Sequence, residues 1–195
     1  MITAVNKRDR IVTSALVLFA ERGYDATTIP MIAASAGVGA GTIYRYFENK
    51  EVLGNKIFQE YLDIFTETVK NGFPHDDSIR NQFHHIFKSM VHFTTEQDQA
   101  LYFIKLHSGA HFLNEDSHAS FQGLLNIFKN FFDSGKEKKE IKELPSSALI
   151  AIIYGAFLEL ERLVRIGELE PDPKLLADVE ESFLGCSAIA HLRHF

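Results

Sequence analysis

Tryptophan is absent from this chain of 195 residues, and cysteine occurs once, as Cys186. A single thiol leaves no intramolecular disulfide and no cysteine-rich metal knuckle, so a cytoplasmic setting is the default expectation. Long apolar runs are lacking as well. No stretch approaches the roughly 18 uninterrupted apolar residues of a membrane-spanning helix, which predicts no membrane partner. The opening MITAVNKRDR is polar and passes quickly into an amphipathic pattern, unlike a secretory leader. A glycine-rich phosphate loop, a nucleophile elbow and a metal-ligand set are also missing. The nine histidines are scattered. These absences assign no catalytic residue, no metal and no cofactor, and they point away from an enzyme.

What is present is a 46% hydrophobic composition suited to a globular core, with a net charge of −6. That charge is unevenly divided. Residues 1–56 carry seven Lys/Arg against five acids, while the remaining 139 residues carry 13 against 21. A basic head on an acidic body is the expected footprint of a nucleic-acid-binding segment, although an excess of two charges is modest.

Periodicity predicts helices throughout and shows no strand alternation, internal repeat or low-complexity stretch. Ile11, Val12, Ala15, Leu16 and Phe19 share one helical face, which should end at Gly23 with a left-handed cap. Thr28 can cap a second helix with Pro30 in its first turn, and Ile29, Ile32, Ala33 and Ala36 form its buried side. Gly37 and Gly39 bracket a tight turn, and a short third helix follows from about Ala40 to Phe47. A long fourth helix past Asn49 keeps Leu53, Ile57, Tyr61, Ile64, Phe65 and Val69 on one face until Gly72 and Pro74. Further periods run from Ile79 to Val91 and from Phe121 to Phe132, the latter closed by Gly135, with an all-round apolar segment at Ala100–His107 between them. Two helices finish the chain, from Ser147 to about Ile166 and from Leu175 to Leu192, the second opened by Asp172 and Pro173. The expected fold is all-α.

The first three helices have the layout of a helix-turn-helix, whose second helix enters the major groove with its N-terminal part against the base edges. Gly39, Ala40 and Gly41 leave the backbone bare at that helix start, where free N–H groups and the helix dipole suit a phosphate. Thr42 offers a hydroxyl to the DNA backbone. Tyr44 and Arg45 fall where side chains reach the groove, and Arg45 can donate two bonds to guanine O6 and N7. Tyr46 and Lys50 suit phosphates. The plainer alternative makes Tyr44, Tyr46 and Phe47 core aromatics, and for Phe47 it is the better reading.

These segments resemble the N-terminal domain of the TetR family of bacterial regulators. The resemblance lies in FAERGY (Phe19 to Tyr24), TTI (Thr27 to Ile29), IAASAGV (Ile32 to Val38) and GTIYRYFENKEVL (Gly41 to Leu53), within residues 8–56. It implies a helix-turn-helix domain over residues 1–50, then an all-helical effector-binding and dimerisation domain over 51–195. It also implies a homodimer that leaves a palindromic DNA operator when a small molecule spreads or rotates the two heads. Thr28, Gly41, Thr42, Tyr44, Arg45, Tyr46 and Lys50 fall on positions that contact DNA in the family, and Ala40 joins them at the start of the third helix. The chain departs from the pattern at Gly39, where a capping serine is common, at Ala40, where a polar or basic residue often sits, and at Met31, where an acid usually completes a capping box. Base reading should then lean on Arg45 and Tyr44, aided by a basic arm of Lys7, Arg8 and Arg10.

In the remaining part, the helix from Ser147 to Ile166 is apolar on two opposite faces, and such a helix needs two partners. Tyr154, Gly155 and Leu158 fall opposite Ile152, Ile153, Ala156, Phe157 and Leu160; this helix and the last one, with its small residues Gly185 to Ala188, are the expected dimer interface. A monomer burying both faces in itself is the alternative. Fifteen of the 17 phenylalanines follow residue 56, which suggests an apolar or aromatic effector held among Phe87, Phe103, Phe121, Phe128 and Phe157, unless these are plain core. Tyr102, His107 and Glu159 are the candidate polar contacts, with an Arg162-paired surface role as the plainer reading of Glu159. His84 and His85 are further donors for a ligand's polar end. A metal between His107 and His111 is weighed and set aside, because Gly109 interrupts the helix and no further ligand completes a site. The expected protein is a ligand-responsive repressor; the rival is a DNA-bound adaptor whose C-terminal domain recruits a protein.

Overall fold

Local capping chemistry sets where most of the helices begin. The computed structural model describes residues 6–97, 99–170 and 172–187. Its helices are α1 (Lys7–Arg22), α2 (Ile29–Ala36), α3 (Ala40–Tyr44), α4 (Lys50–Lys70), α5 (Ile79–Glu96), α6 (Ala100–His107), α7 (Glu115–Glu137), α8 (Ser146–Arg165) and α9 (Pro173–Ser187), and no β-strand occurs among the described residues. Side-chain oxygens of Asn6, Asn49, Ser78, Asn114 and Asp172 each accept the backbone N–H three residues on, satisfying donors that helix geometry leaves free. Thr28 does the same for Met31 at a long 3.4 Å; α3, α6 and α8 start without a side-chain cap. No helix among the described residues is long and apolar enough to cross a membrane.

Several ends differ from the sequence expectation. Gly23 has positive φ but an extended ψ (79°, 160°), so α1 stops without the left-handed geometry that Gly37 adopts after α2 (62°, 43°). The third helix closes at Tyr44, short of Phe47, with backbone bonds from Tyr46 and Phe47 to the Ile43 carbonyl finishing the turn. α7 starts six residues before Phe121 and runs through Gly135 to Glu137. Gly135 is internal to the helix, and the Ile141 side chain fills the space its Cβ would need. Leu106, inside the segment expected to be buried all round, is 50% exposed. The stretch from Ala188 to Leu192 lies outside the described residues.

By packing the chain forms two units, Met1–Phe65 with Thr94–Gln122, and Thr66–Phe93 with Gly123–Phe195. α4, α5 and α7 each supply residues to both, so the boundary expected at residue 50 falls within the first unit. There α1 packs on α2 and α6. Its core stacks Tyr24 on Phe112 (ring centroids 3.8 Å apart) and Phe19 on Phe103 (6.0 Å), with Phe58 edge-on to Phe103. The close approach of Tyr24 and Phe112 is possible because Gly54 has no side chain: a Cβ there would lie 2.9 Å from one ring and 3.0 Å from the other. Beneath them the buried Asn55 amide donates to the Phe112 carbonyl at 2.7 Å and accepts from Asn114 N–H and Ser117 Oγ. Burying an amide is tolerable only when its hydrogen bonds are made, and this one makes them on both ends.

In the second unit Phe83, Phe87, Phe131, Phe157 and Phe183 form a ring cluster with centroid spacings of 5.8–6.4 Å. α8 buries Leu149, Ile153, Phe157, Leu158 and Leu160. Ile152 and Ala156, expected on the same face as Ile153 and Phe157, are exposed instead, Ile152 by 47%. Adjacent positions differ by about 100° around a helix, and the core here is centred on Ile153 and Phe157, which turns Ile152, Gly155 and Ala156 outward together.

Candidate nucleic-acid interface

The head positions its side chains through a few buried anchors. Ile43 is completely buried and Phe47 nearly so, which seats α3 and leaves its two neighbouring tyrosines outside: Tyr44 is 55% exposed and Tyr46 47%. Arg45, at the end of α3, is exposed and has no side-chain partner among the described residues. Gly41 and Thr28 are exposed; Ala40 and Thr42 are half-buried. Tyr44, Arg45 and Tyr46 are three consecutive exposed side chains directly after the buried Ile43, and α3 carries no side-chain cap on its first turn.

Other basic residues are engaged by the protein itself. Lys50 donates to the carbonyls of Tyr24 and Thr27, both at 3.0 Å, and its ammonium lies 4.1 Å from the Tyr24 ring centroid. An ammonium has three donors, so one remains for a phosphate. Burial, with Glu51 and Asp25 adding to it, pushes the Tyr24 phenol up to about 12. Of the expected basic arm, only Lys7 is free of such contacts. Arg10 donates to the Gly37 carbonyl at 3.1 Å and to that of Ala36, closing the C-terminus of α2. Arg8 pairs with Glu60 and lies over the Phe47 ring. The sequence reading missed these two roles because the partners are backbone carbonyls and a carboxylate far along the chain.

Behind the head, His107 is buried and engaged at both nitrogens. Nδ1–H donates to the Phe103 carbonyl at 3.0 Å, and Nε2 accepts the Tyr24 N–H at 3.3 Å, so the ring is held in one neutral tautomer. Desolvation lowers its pKa below the ordinary imidazole value. His111 lies outside α6, 3.6 Å from Asp25.

The candidate effector contacts separate into two groups. Tyr102, Phe103, His107 and Phe121 belong to the first unit, where Phe103 and Phe121 flank Phe58. Phe87, Phe128, Phe157 and Glu159 belong to the second. Of these, Phe128 lines a small apolar cavity of about 20 Å³ with Ile86, Met90, Ile153 and Tyr154. Burial raises the Tyr154 phenol well above its ordinary pKa, and its hydroxyl has no hydrogen bond among the described residues. Glu159 is on the outer side of α8 in a bidentate pair with Arg162. His84 pairs with Glu180 at 2.8 Å, and His85 Nε2 bonds the Val69 carbonyl at 2.9 Å.

A short helix with an exposed Tyr-Arg-Tyr run, joined to a preceding helix by a left-handed glycine turn, defines a helix-turn-helix regulatory protein. Residues 11–56 match the family model described as bacterial regulatory proteins of the tetR family, and residues 58–189 match that of the tetracyclin repressor-like C-terminal domain. The chain belongs to the tetR family. It is 28% identical over 111 residues to IcaR, the negative transcriptional regulator of the biofilm operon icaADBC in Staphylococcus epidermidis, covering 56% of this chain but only 58% of that protein. It is also 28% identical over 138 residues to a Bacillus subtilis fatty acid metabolism regulator protein, covering 69% of this chain and 70% of that one. The ketosteroid transcriptional regulator KstR2 of Mycobacterium tuberculosis shares the fold, with a TM-score of 0.76 at 18% identity over 96% of this chain and 97% of that one.

Proposed function

We propose that this chain is a ligand-responsive transcriptional repressor that binds a palindromic double-stranded operator as a homodimer and leaves it when a small hydrophobic or aromatic effector binds the second unit. The observation that carries the reading is the unpartnered, exposed Arg45 between two exposed tyrosines. An arginine held free at the end of a recognition helix is suited to bidentate reading of guanine, with Tyr44 reaching the groove beside it, while Tyr46, Thr42, Lys50 and the bare backbone at Ala40 and Gly41 meet the DNA backbone, and Thr28 does so from the start of α2.

Homodimerisation is supported by the outer face of α8, where Ile152, Gly155 and Ala156 turn outward and α8 ends beside Ile166, itself 51% exposed. A patch of this kind on a helix needs a partner, and α9 with its small residues supplies the second helix of the interface. The effector class follows from the phenylalanine-rich core of the second unit, and relatives named for fatty acid and ketosteroid regulation agree with an apolar compound. Phe87, Phe128 and Phe157 are its proposed contacts there, with Tyr102, Phe103, His107 and Phe121 responding within the first unit. Glu159 contributes only if its pair with Arg162 opens. The protein acts on DNA in the cytoplasm and needs no cofactor for this.

Selection of bound sequences from random duplex DNA at near-physiological salt tests the reading. An enriched palindrome with half-sites about 10 base pairs apart, centre to centre, is the expected result. A folded dimer that enriches nothing, with or without extracts of apolar metabolites, would overturn it.

A further inference from the structure

Two spaces in the second unit share a wall. One is the apolar cavity of about 20 Å³. The other is an open cleft of about 500 Å³ between the end of α4, the α4–α5 connection and α7, and the Phe131 ring lines both. A cleft of this size falls in the range of small-molecule sites, whereas the cavity alone has room for little more than water. The cleft is two-sided in chemistry. Phe73, Ile127 and Phe131 make it apolar within; Lys70, His75 and Asn130 make its rim polar, and among the described residues no carboxylate lines it.

The rim is built to stay in place. The buried Gln82 amide donates to the His75 carbonyl at 2.9 Å and to the Asp77 carbonyl at 3.0 Å, fixing the α4–α5 connection from below. The Asp77 carboxylate is turned to its own helix start, accepting from Ser78 N–H and Asn81 Nδ2. The acid that meets Lys70 is Glu67, at 4.0 Å on the same helix, with both side chains more than half exposed. Such a pair is worth little and yields readily to a better anion.

We propose that the cleft binds an anionic amphiphile, with its acid group at Lys70 and His75 and its apolar chain along Phe73 and Ile127 towards Phe131. Rotation of the Phe131 ring joins the cleft to the apolar cavity and admits the far end of the chain. The proposal rests on reading the second unit as effector-binding and adds the effector's chemical class and its point of entry. A carboxylate, a phosphate ester and a sulfate share the head chemistry that Lys70 recognises.

Calorimetric titration of the full chain with sodium decanoate, decanol and decyltrimethylammonium separates head from tail. Decanoate should bind at least tenfold more tightly than either of the others, and octanoate should bind more weakly than decanoate by roughly fourfold per methylene removed. Lys70→Gln, a change at an exposed side chain, should cost decanoate about tenfold and leave decanol unchanged. Equal affinity for the three heads, no binding of decanoate, or an unaltered decanoate affinity in Lys70→Gln would each overturn the proposal. Operator DNA tells the two readings apart. Decanoate that binds with the Lys70 dependence but leaves operator affinity unchanged removes the effector reading and keeps the cleft. Decanoate that releases operator equally from Lys70→Gln does the opposite.

Discussion

Lys50 and Tyr24 grip each other twice: the lysine ammonium donates to the Tyr24 carbonyl at 3.0 Å and sits 4.1 Å from the centre of its ring. The same ammonium reaches the Thr27 carbonyl, so the start of α4 is tied to the whole α1–α2 connection. Lys50→Met keeps the length of the side chain and removes the charge. It should lower stability by about 2–3 kcal/mol, since hydrogen bonds to charged groups in half-buried sites contribute at that level. Because two of its three donors are used internally, its loss should reduce the salt slope of DNA binding by no more than about one. An unchanged urea midpoint would show that the contact is incidental.

Arg45→Ala should lower discrimination at one base pair per half-site by about 1–3 kcal/mol while weakening other sequences much less. Tyr46→Phe removes the hydroxyl proposed to meet a phosphate from a side chain that is 47% exposed, and it should weaken all sequences alike. Binding isotherms on the selected operator and on single-base variants distinguish the two patterns. Equal loss on every sequence for Arg45→Ala would remove it from the base-reading role.

The legible parts of this chain were those governed by neighbours in sequence. Thr28 before Pro30, Asp172 before Pro173 and the glycine after Ala36 each act within one turn, and each does in the structure what its type predicts. The exposed Tyr44 and buried Phe47 also match what was read from the sequence, and it is the buried Ile43 that seats their helix. What could not be read depends on distant partners. Arg10 finds carbonyls 26 and 27 residues away, and nothing in its own surroundings distinguishes that from a basic arm. The outward turn of Ile152 was equally hidden, because α8 is apolar around so much of its circumference that periodicity alone leaves the core side open. Gly135 looked like a helix end because the side chain that fills its Cβ space, Ile141, lies across a turn.

Two glycines make a matched test of close packing. Gly54 has the Phe112 and Tyr24 rings at 2.9 and 3.0 Å from where a Cβ would stand, while Gly123 in α7 has nothing within 4 Å. Gly54→Ala should destabilise by about 1–3 kcal/mol through overpacking, even though alanine is the better helix former. Gly123→Ala should stabilise by about 0.5–1 kcal/mol. Urea unfolding of both variants reads the contrast; a gain at Gly54 would mean that the ring pair is free to move aside.

Ile152→Glu places a charge in the middle of the outward apolar face of α8 without touching the core residues Ile153 and Phe157. If that face joins two copies, the variant should sediment as a folded monomer and lose operator affinity by a hundredfold or more, because one half-site supplies few contacts. A variant that stays dimeric would move the interface elsewhere.

His107 gives stability a pH dependence whose sign follows from its hydrogen bonds. The folded chain keeps the ring neutral, because Nε2 must accept the Tyr24 N–H and burial disfavours charge, so its pKa lies below the ordinary 6.5. In the unfolded chain the ring takes up a proton near 6.5. Below that pH the unfolded state therefore binds more protons than the folded one. Stability should be full above about pH 6.5 and fall as the pH drops through 6.5 towards the lower folded pKa, levelling off beneath it. His107→Leu forfeits two hydrogen bonds and is less stable at every pH, but it has no proton to exchange here, so its own decline between pH 7.5 and 5.5 should be shallower than that of the unmodified chain. Urea unfolding at both values measures the two slopes. Parallel slopes would mean that the ring accepts a proton in the folded state as readily as in the unfolded, and that the Tyr24 N–H is released without cost.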